Sequence, residues 1–350
     1  MAGRDIVVIG ASVGGVDVLT RLVRGLPPGL PASLFVVCHF PPGGRSMLPD
    51  ILSRSGPLLA AHARDGESFH PGHMYVAPPN QHLLLQAGGR MQLTHGPREN
   101  YHRPAVDPLF RTAARAYGRR VIGIVLTGSL YDGTAGLLAV RSAGGIGIVQ
   151  DPSDAVVAAM PLSATQIAGA DYVEPAHRLA SLLVELIQQP LAPEGGPVMP
   201  DPDPLDKLPS IVNQDMDEQV RNERRGRVTV FTCPECGGCL WQVNENPLVR
   251  FRCHVGHAFH AETLLAEQSQ ALEAALWTAV RTFKERDLLA RQLAARERQR
   301  GDGDAAARFE EQAEQAARYG DLIQRYVLNG APLSAQEEGA PNKTKKSDTA

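Results

Sequence analysis

The chain has 350 residues, with 35 Lys and Arg against 38 Asp and Glu and a formal net charge of −3. That length allows two domains with a sizeable core, and the near balance of charge argues against general affinity for nucleic acid or an anionic membrane. No apolar run is long enough to cross a bilayer, and Met1–Arg4 lead straight into an apolar strand, so neither membrane insertion nor a secretion signal is expected.

The first element is the most telling. Residues 6–15, IVVIGASVGG, begin with four apolar residues that read as a short buried strand. Gly10 and Ala11 turn it, Ser12 stands at the tip, and Gly14 and Gly15 open a helix over Val16–Arg24. A serine there lies at the carboxyl edge of a parallel strand, where open α/β sheets bind ligands. The glycines alone also suit a nucleotide-binding loop. However, Ser12 replaces the middle glycine of that fingerprint, and the next strand, Leu34–Cys38, ends in His39 where the ribose-binding acid should stand. The plainer alternative is that Ser12 caps the helix and His39 merely begins a loop.

Shorter strand patterns follow in HMYVAP, HLLLQ and MQLTH, some of them forming a hairpin, then a helix over Asp107–Tyr117. The strand VIGIVLTG ends at Gly128, a helix covers Gly133–Ser142, GIGIVQ ends at Gln150, and a last helix covers Ala176–Gln188. This alternation predicts an α/β fold over residues 1–189, a doubly wound, largely parallel sheet with helices on both faces. A serine–histidine pair needs a group that orients the imidazole. Asp132, in the glycine-flanked loop TGSLYDGTAG at the same sheet edge, can supply it; by itself it would be read as a helix cap.

Other polar residues receive simpler readings. Asp107 sits at a helix start and reads as its cap. Cys38 points to the opposite face from His39 and reads as a small buried hydrophobe. His62, His70, His73, His82, His95 and His102 lack paired ligand spacing and read as surface or hydrogen-bonded residues. Arg103 is a candidate contact for a substrate carboxylate.

Residues 190–227 are rich in proline, glycine and aspartate and read as a linker. A small module over 228–260 carries TCPECGGCLW and FRCHVGH. Cys233 and Cys236 form one knuckle and Cys253 and His257 a second, which fits tetrahedral structural zinc in a zinc-ribbon-like module. Cys239 and His254 are spare candidates. Of five cysteines, only Cys38 lies outside this stretch, which reads as metal binding in a reducing compartment and hence a cytoplasmic protein. A linker flexible over about 36 residues would let the module range on the order of 30–35 Å. Residues 261–331 read as an α-helical hairpin. Leu264, Leu265, Leu272, Leu276, Val280, Phe283, Leu288 and Leu293 form one apolar stripe, and Asp304 caps the second helix. The stripe is core of the arm or a docking surface for a protein partner. Residues 332–350 read as a disordered tail.

GASVGG around Ser12, the strand ending in His39, RPAVDPLF at 103–110 and LTGSLYDGTAGL at 126–137 together resemble the catalytic domain of CheB-type protein-glutamate methylesterases. The resemblance covers about residues 4–188 and rests on separated motifs in the expected order. It implies a serine hydrolase that cleaves glutamate methyl esters on chemoreceptors, with glutamine deamidation as a second activity and no catalytic cofactor. Ser12 matches the nucleophile, His39 the general base and acid, and Asp132 the orienting acid. The order Ser–His–Asp separates this pattern from α/β-hydrolases. Backbone N–H groups of Val13 and Ser129 are the candidate oxyanion donors. The family's loop reads TGMG-x-DG, and Ser129-Leu130 replace its Met-Gly pair here. Family members often carry an N-terminal receiver domain; this chain starts at the catalytic strand, so control by aspartyl phosphorylation in cis is not expected. The competing readings are a non-catalytic signalling scaffold with the same fold and a nucleotide-binding protein using Gly10–Gly15.

Overall fold

The computed structural model describes residues 3–40, 46–191, 227–245 and 248–328. The expected tail, and residues 192–226 of the expected 190–227 linker, lie outside the described residues. The chain divides into two compact units, 1–266 and 267–350.

In the first unit the strands are β1 (Ile6–Ala11), β2 (Ser33–Cys38), β3 (Leu59–His62), β4 (His73–Val76), β7 (Val121–Val125), β8 (Ile146–Gln150) and β9 (Tyr172–Glu174), with β5 (His82–Gln86) and β6 (Arg90–Thr94) forming a separate antiparallel hairpin. The seven form one parallel sheet in the order β3-β4-β2-β1-β7-β8-β9. β1 and β2 are buried along their whole length, as expected for a parallel sheet covered on both faces. Alternation along them feeds two cores. Val7, Ile9, Leu34 and Val36 face one side, under α1 (Gly15–Arg24), α2 (Leu48–Ser55) and α6 (Ala176–Gln188). Ile6, Val8, Phe35 and Val37 face the other, under α3 (Val106–Tyr117), α4 (Thr134–Ser142) and the short α5 (Ala159–Ser163).

The expected doubly wound sheet is therefore present. β3 and β9, unread in the sequence, are short edge strands whose half-exposed residues give no apolar run. Strand order reverses between β1 and β7, so the loops after β1, β2 and β7 meet at one crevice.

Residues 227–260 form a four-stranded antiparallel sheet, β10 (Arg227–Thr232), β11 (Cys239–Glu245), β12 (Leu248–Cys253) and β13 (Ala258–His260). Its apolar core is small: Leu240, Phe251, Phe259 and Leu264 with Cys233 and Cys253. The expectation of a freely ranging module does not hold. β13 lies along residues 98–100, with the Asn100 N–H donating to Ala258 O at 2.8 Å and the Ala258 N–H to Arg98 O at 3.2 Å. Beneath this seam a buried ion triple joins the two parts: Arg111 Nη2 lies 2.7 Å from Glu99 Oε1, and Arg250 Nη2 3.3 Å from Glu99 Oε2.

Helix α7 (Ala261–Arg300) continues into the second unit and is followed by α8 (Gly303–Leu328). There the interior is lined by Ala290, Ala294, Ala306, Ala313 and Ala316 with Val280, whereas Leu265 in the first unit and Leu288 in the second are exposed. The helices approach closely at one point, where a Cβ on Gly320 would lie 3.3 Å from Phe283 Cβ. The cap of α8 is Asp302, whose Oδ1 accepts the Ala305 N–H at 2.9 Å, and not the expected Asp304.

Candidate active site

The turn after β1 is shaped by packing. Gly14 adopts φ 79°, a left-handed conformation that glycine accepts without strain, and serves as the N-cap of α1 without any side-chain cap. Ser12 is thus not spent on capping. Gly10 is small because Val106 presses on it: a Cβ there would meet Val106 Cγ1 at 2.4 Å. That face of the strand end is filled by α3.

Two neighbouring loops are stitched to the serine. The Ser12 N–H donates to Thr127 O at 3.0 Å, and the His39 N–H to Ala11 O at 3.0 Å. A Cβ on Gly128 would lie 2.6 Å from Ser12 Cβ and 2.2 Å from Met160 Sδ, so the β7 loop reaches the serine only because residue 128 has no side chain. Thr127, which sequence reasoning passed over, ties the edge together: its hydroxyl donates to Val13 O at 3.0 Å and accepts from the Val157 N–H at 2.9 Å.

His39 lies against Asp132, with Nε2 2.9 Å from Oδ2. Its Nδ1 is buried and has no hydrogen-bond partner among the described residues. Asp132 is fully buried, and its Oδ2 also accepts the Val106 N–H at 2.7 Å. Oδ1 accepts the N–H groups of Asp107 at 3.1 Å and Gly133 at 3.0 Å, and Asn100 Nδ2 at 3.0 Å. Burial alone would raise its pKa, but the hydrogen bond and charge of His39 outweigh burial and hold the carboxyl well below its usual range. His102 stacks on His39 with ring centroids 3.6 Å apart. Burial first, then the neighbouring His39, pushes the His102 imidazole down to about 3, so it stays neutral beside His39.

Behind Asp132 stands a second buried carboxylate, Asp107. The expectation that it caps its own helix is corrected: its Oδ1 accepts the Gly133 and Gly136 N–H groups at 3.0 and 2.7 Å, at the start of α4. Its Oδ2 accepts Asn100 Nδ2 at 2.9 Å and lies 3.1 Å from His260 Nε2. Burial opposes its ionisation, but the His260 hydrogen bond keeps its pKa below the ordinary value. Asn100 and His260 carried no sequence signal, since 160 positions separate them in the chain.

Val13 is 52 % exposed and precedes α1, which starts at Gly15 and not at Val13. Leu130, next to Ser129, adopts φ 62°. A cavity of about 310 Å³ opens beside His39, lined in part by Phe40, Asn80, Arg98, Tyr101 and Arg103. Arg103 spends its guanidinium on Asn80 Oδ1 at 2.8 and 3.0 Å and on Gly96 O at 2.8 Å.

In the small module the ligand atoms of Cys233, Cys236, Cys253 and His257 all lie within 4.8 Å of one another. The Cys236–Cys253 Sγ separation is 3.6 Å and Cys253 Sγ lies 3.5 Å from His257 Nδ1. Ligand atoms on a tetrahedral zinc sit about 3.5–3.8 Å apart, so the group can hold a metal ion. Cys239 and His254 stand outside it.

The family model described as CheB methylesterase matches residues 7–183. A protein-glutamate methylesterase/protein-glutamine glutaminase of Pectobacterium atrosepticum is 36 % identical over 190 residues, covering 53 % of this chain and 54 % of its own. A second, from Pseudomonas aeruginosa, is 38 % identical over 188 residues with the same two shares. The crystal structure of the Thermotoga maritima CheB methylesterase catalytic domain is 39 % identical, with a TM-score of 0.51 over all of that chain and 53 % of this one. The chain spans about half the length of the curated relatives it matches. With the family match covering half of its residues, and the sheet and its loops arranged as described, the chain belongs to the CheB methylesterase family.

Proposed function

We propose that this protein is a serine hydrolase that removes methyl groups from glutamate methyl esters of a chemoreceptor or related signalling protein, and that it deamidates glutamine at the same site. One observation carries the reading. His39 gives Nε2 to a buried carboxylate and keeps Nδ1 buried and unpartnered at the sheet edge that bears Ser12. The names of the relatives support the substrate class.

With its proton on Nε2, His39 offers the Nδ1 lone pair to the Ser12 hydroxyl as Oγ attacks the ester carbonyl. The tetrahedral intermediate collapses, Nδ1–H passes to the departing methoxide, and methanol leaves. Water then yields a proton to Nδ1 and attacks the acyl-enzyme, which releases the glutamate carboxylate and restores the hydroxyl. For glutamine the leaving group is ammonia. The N–H groups of Val13 and Ser129 are the oxyanion donors in this scheme, each worth about 3–4 kcal/mol.

Ser12→Ala should lower methanol release from a methylated receptor by about 10⁴-fold or more. A fluorophosphonate probe should label the parent protein and not this variant. Unchanged turnover in Ser12→Ala would remove the mechanism. The left-handed Leu130 favours one competing reading, a non-catalytic scaffold with a distorted loop, and an unlabelled parent would decide for it.

We further infer that Cys233, Cys236, Cys253 and His257 hold zinc in a structural role, because four protein ligands leave no position for a reactive water. Such a site contributes about 10–16 kcal/mol of apparent binding energy to a module with so small an apolar core. Near-stoichiometric zinc in protein purified without added metal is expected; less than half an equivalent, with Cys233 and Cys253 freely alkylated, counts against it. Cysteines clustered at metal-ligand spacing support a reducing, cytoplasmic setting; among the described residues no helix is long and apolar enough to cross a membrane. Exposed Leu288, Leu289, Leu322 and Tyr326 suit the helical hairpin to a protein partner.

A further inference from the structure

The catalytic acid is surrounded by protein on every side, yet one side lies outside the stretch shared with the family. That stretch ends at residue 183, whereas the module begins at residue 227. Asn100 forms the bridge. Its single amide nitrogen reaches Asp107 Oδ2 at 2.9 Å and Asp132 Oδ1 at 3.0 Å, so it holds two buried carboxylates at one spacing.

The backbone that presents this amide is strained. Asn100 has φ 49° and Tyr101 φ 69°, two successive side-chain-bearing residues in the left-handed region. Conformations of this kind are costly and persist only where surrounding contacts impose them. The imposing contacts come from β13. The Asn100 N–H donates to Ala258 O at 2.8 Å, the His260 N–H donates to Asn100 Oδ1 at 3.2 Å, and His260 Nε2 takes the far side of Asp107 Oδ2 at 3.1 Å. The side-chain oxygen and both amide hydrogens of Asn100 are thereby committed, which leaves it one orientation. Glu99, the preceding residue, is locked between Arg111 of the hydrolase and Arg250 of the module.

We propose that the cysteine module is a working part of the active site: β13, through His260 and Ala258, clamps Asn100 as a positioning residue that aligns Asp132 on His39. Loss of the metal-held turn at residues 253–257 would free β13, let the 99–102 turn relax, and leave Asp132 Oδ1 without the Asn100 donor, one of its three. The inference rests on the esterase reading of Ser12, His39 and Asp132.

An electrostatic readout separates positioning from mere stability. Asp132 faces His39, His102, Asp107 and the start of α3, while His39 faces Asp132 and the neutral His102. Removing the Asn100 donor changes the charge and placement of the carboxylate that faces His39, which a loss of folding stability alone does not do.

The test uses the full chain. Asn100→Ala and His260→Ala should lower the rate of fluorophosphonate labelling at Ser12 by about 10- to 100-fold and change the pH profile of labelling. His260→Gln, which keeps a donor toward Asp107, should recover most of the rate. Hydrogen exchange gives a readout free of activity and of any variant: removing metal with a chelator should speed exchange in residues 97–104 of the parent, and zinc should reverse it. Cys239→Ser, outside the ligand group, should exchange and label as the parent does. Parent-like labelling in both alanine variants, or unchanged exchange at 97–104 after metal removal, overturns the clamp. A parent that is not labelled at all overturns the esterase reading instead, and the catalytic claim with it.

Discussion

Asp107 and Asp132 cap each other's helices. Asp132 accepts the first N–H groups of α3, from Val106 and Asp107, while Asp107 accepts N–H groups of Gly133 and Gly136 at the start of α4. Each carboxylate therefore sits at the positive end of a helix dipole that the other helps to anchor. Two like charges this close would repel in a dry interior. Here four backbone donors, one shared amide and two histidines neutralise them. The setting of Asp132 against His39 and the packing of α3 against α4 are thus one structure, and a change in either carboxylate is felt at both places.

Asp132→Asn should reveal which nitrogen of His39 is the base. Three donors converge on Oδ1, so the amide oxygen of the variant occupies that position and its NH₂ falls opposite His39 Nε2. The NH₂ must then donate, which drives the imidazole proton to Nδ1 and removes the lone pair that Ser12 needs. A loss of about 10³–10⁴-fold in turnover is expected at little cost in binding. Nitrogen-15 NMR of His39 should show the tautomer reversed, and an unchanged tautomer would refute the assignment.

Asp107→Asn should act mainly on stability. Its oxygen can still serve Gly133 and Gly136, but the new NH₂ would face the donors of Asn100 and His260. Two buried donors lose their acceptor, and a drop of about 2–4 kcal/mol in unfolding free energy is expected from urea titration. A drop below about 1 kcal/mol would mean that the network is wetter than its burial indicates.

The loops that carry Ser12, His39 and Asp132 were legible because parallel strands announce themselves. IVVIGA, SLFVVC and VIGIV are short, buried and bounded by glycine or polar residues, and the residue that follows each strand falls at the same edge. Asp107 and Asp132 were visible as helix-start residues, but a local rule assigns a cap to its own helix, and these carboxylates serve each other's. Asn100 and His260 stayed hidden for a different reason. Their importance depends on a strand in the last module pairing with a turn in the first, and no periodicity encodes a contact of that span. The apolar stripe of the long helix was only partly interior: Leu264 and Val280 are buried, whereas Leu265, Leu272 and Leu288 are exposed and alanines fill much of the hairpin interior.

Leu130→Gly tests how much strain the altered catalytic loop holds. A side chain at φ 62° costs about 1–2 kcal/mol relative to glycine in the same conformation, partly offset by the greater freedom of glycine when unfolded. The variant should therefore gain up to about 1 kcal/mol in stability. If the loop acts through its backbone at Ser129, probe labelling at Ser12 should be kept or faster. A destabilised variant would show that the half-buried leucine side chain contributes more by packing than its backbone costs.

His102 gives the clearest pH dependence. Burial and the adjacent His39 hold its pKa down to about 3 in the folded protein, whereas an unfolded histidine titrates near 6.5. Between those values the unfolded chain binds the extra proton, so stability is present above pH ~6.5 and is lost as pH falls toward the folded pKa. One such group contributes a slope of about 1.4 kcal/mol per pH unit. His102→Phe keeps a ring stacked on His39 and abolishes this titration, so urea midpoints taken between pH 6.5 and 5 should fall less steeply than in the parent. Carboxylates do not interfere, because Asp132 and Asp107 stay ionised throughout that window. In the parent, the His102 ring proton resonances should not shift over the same range; a midpoint near pH 6 would show that the ring is solvated, and the stacked neutral pair beside the base would have to be abandoned.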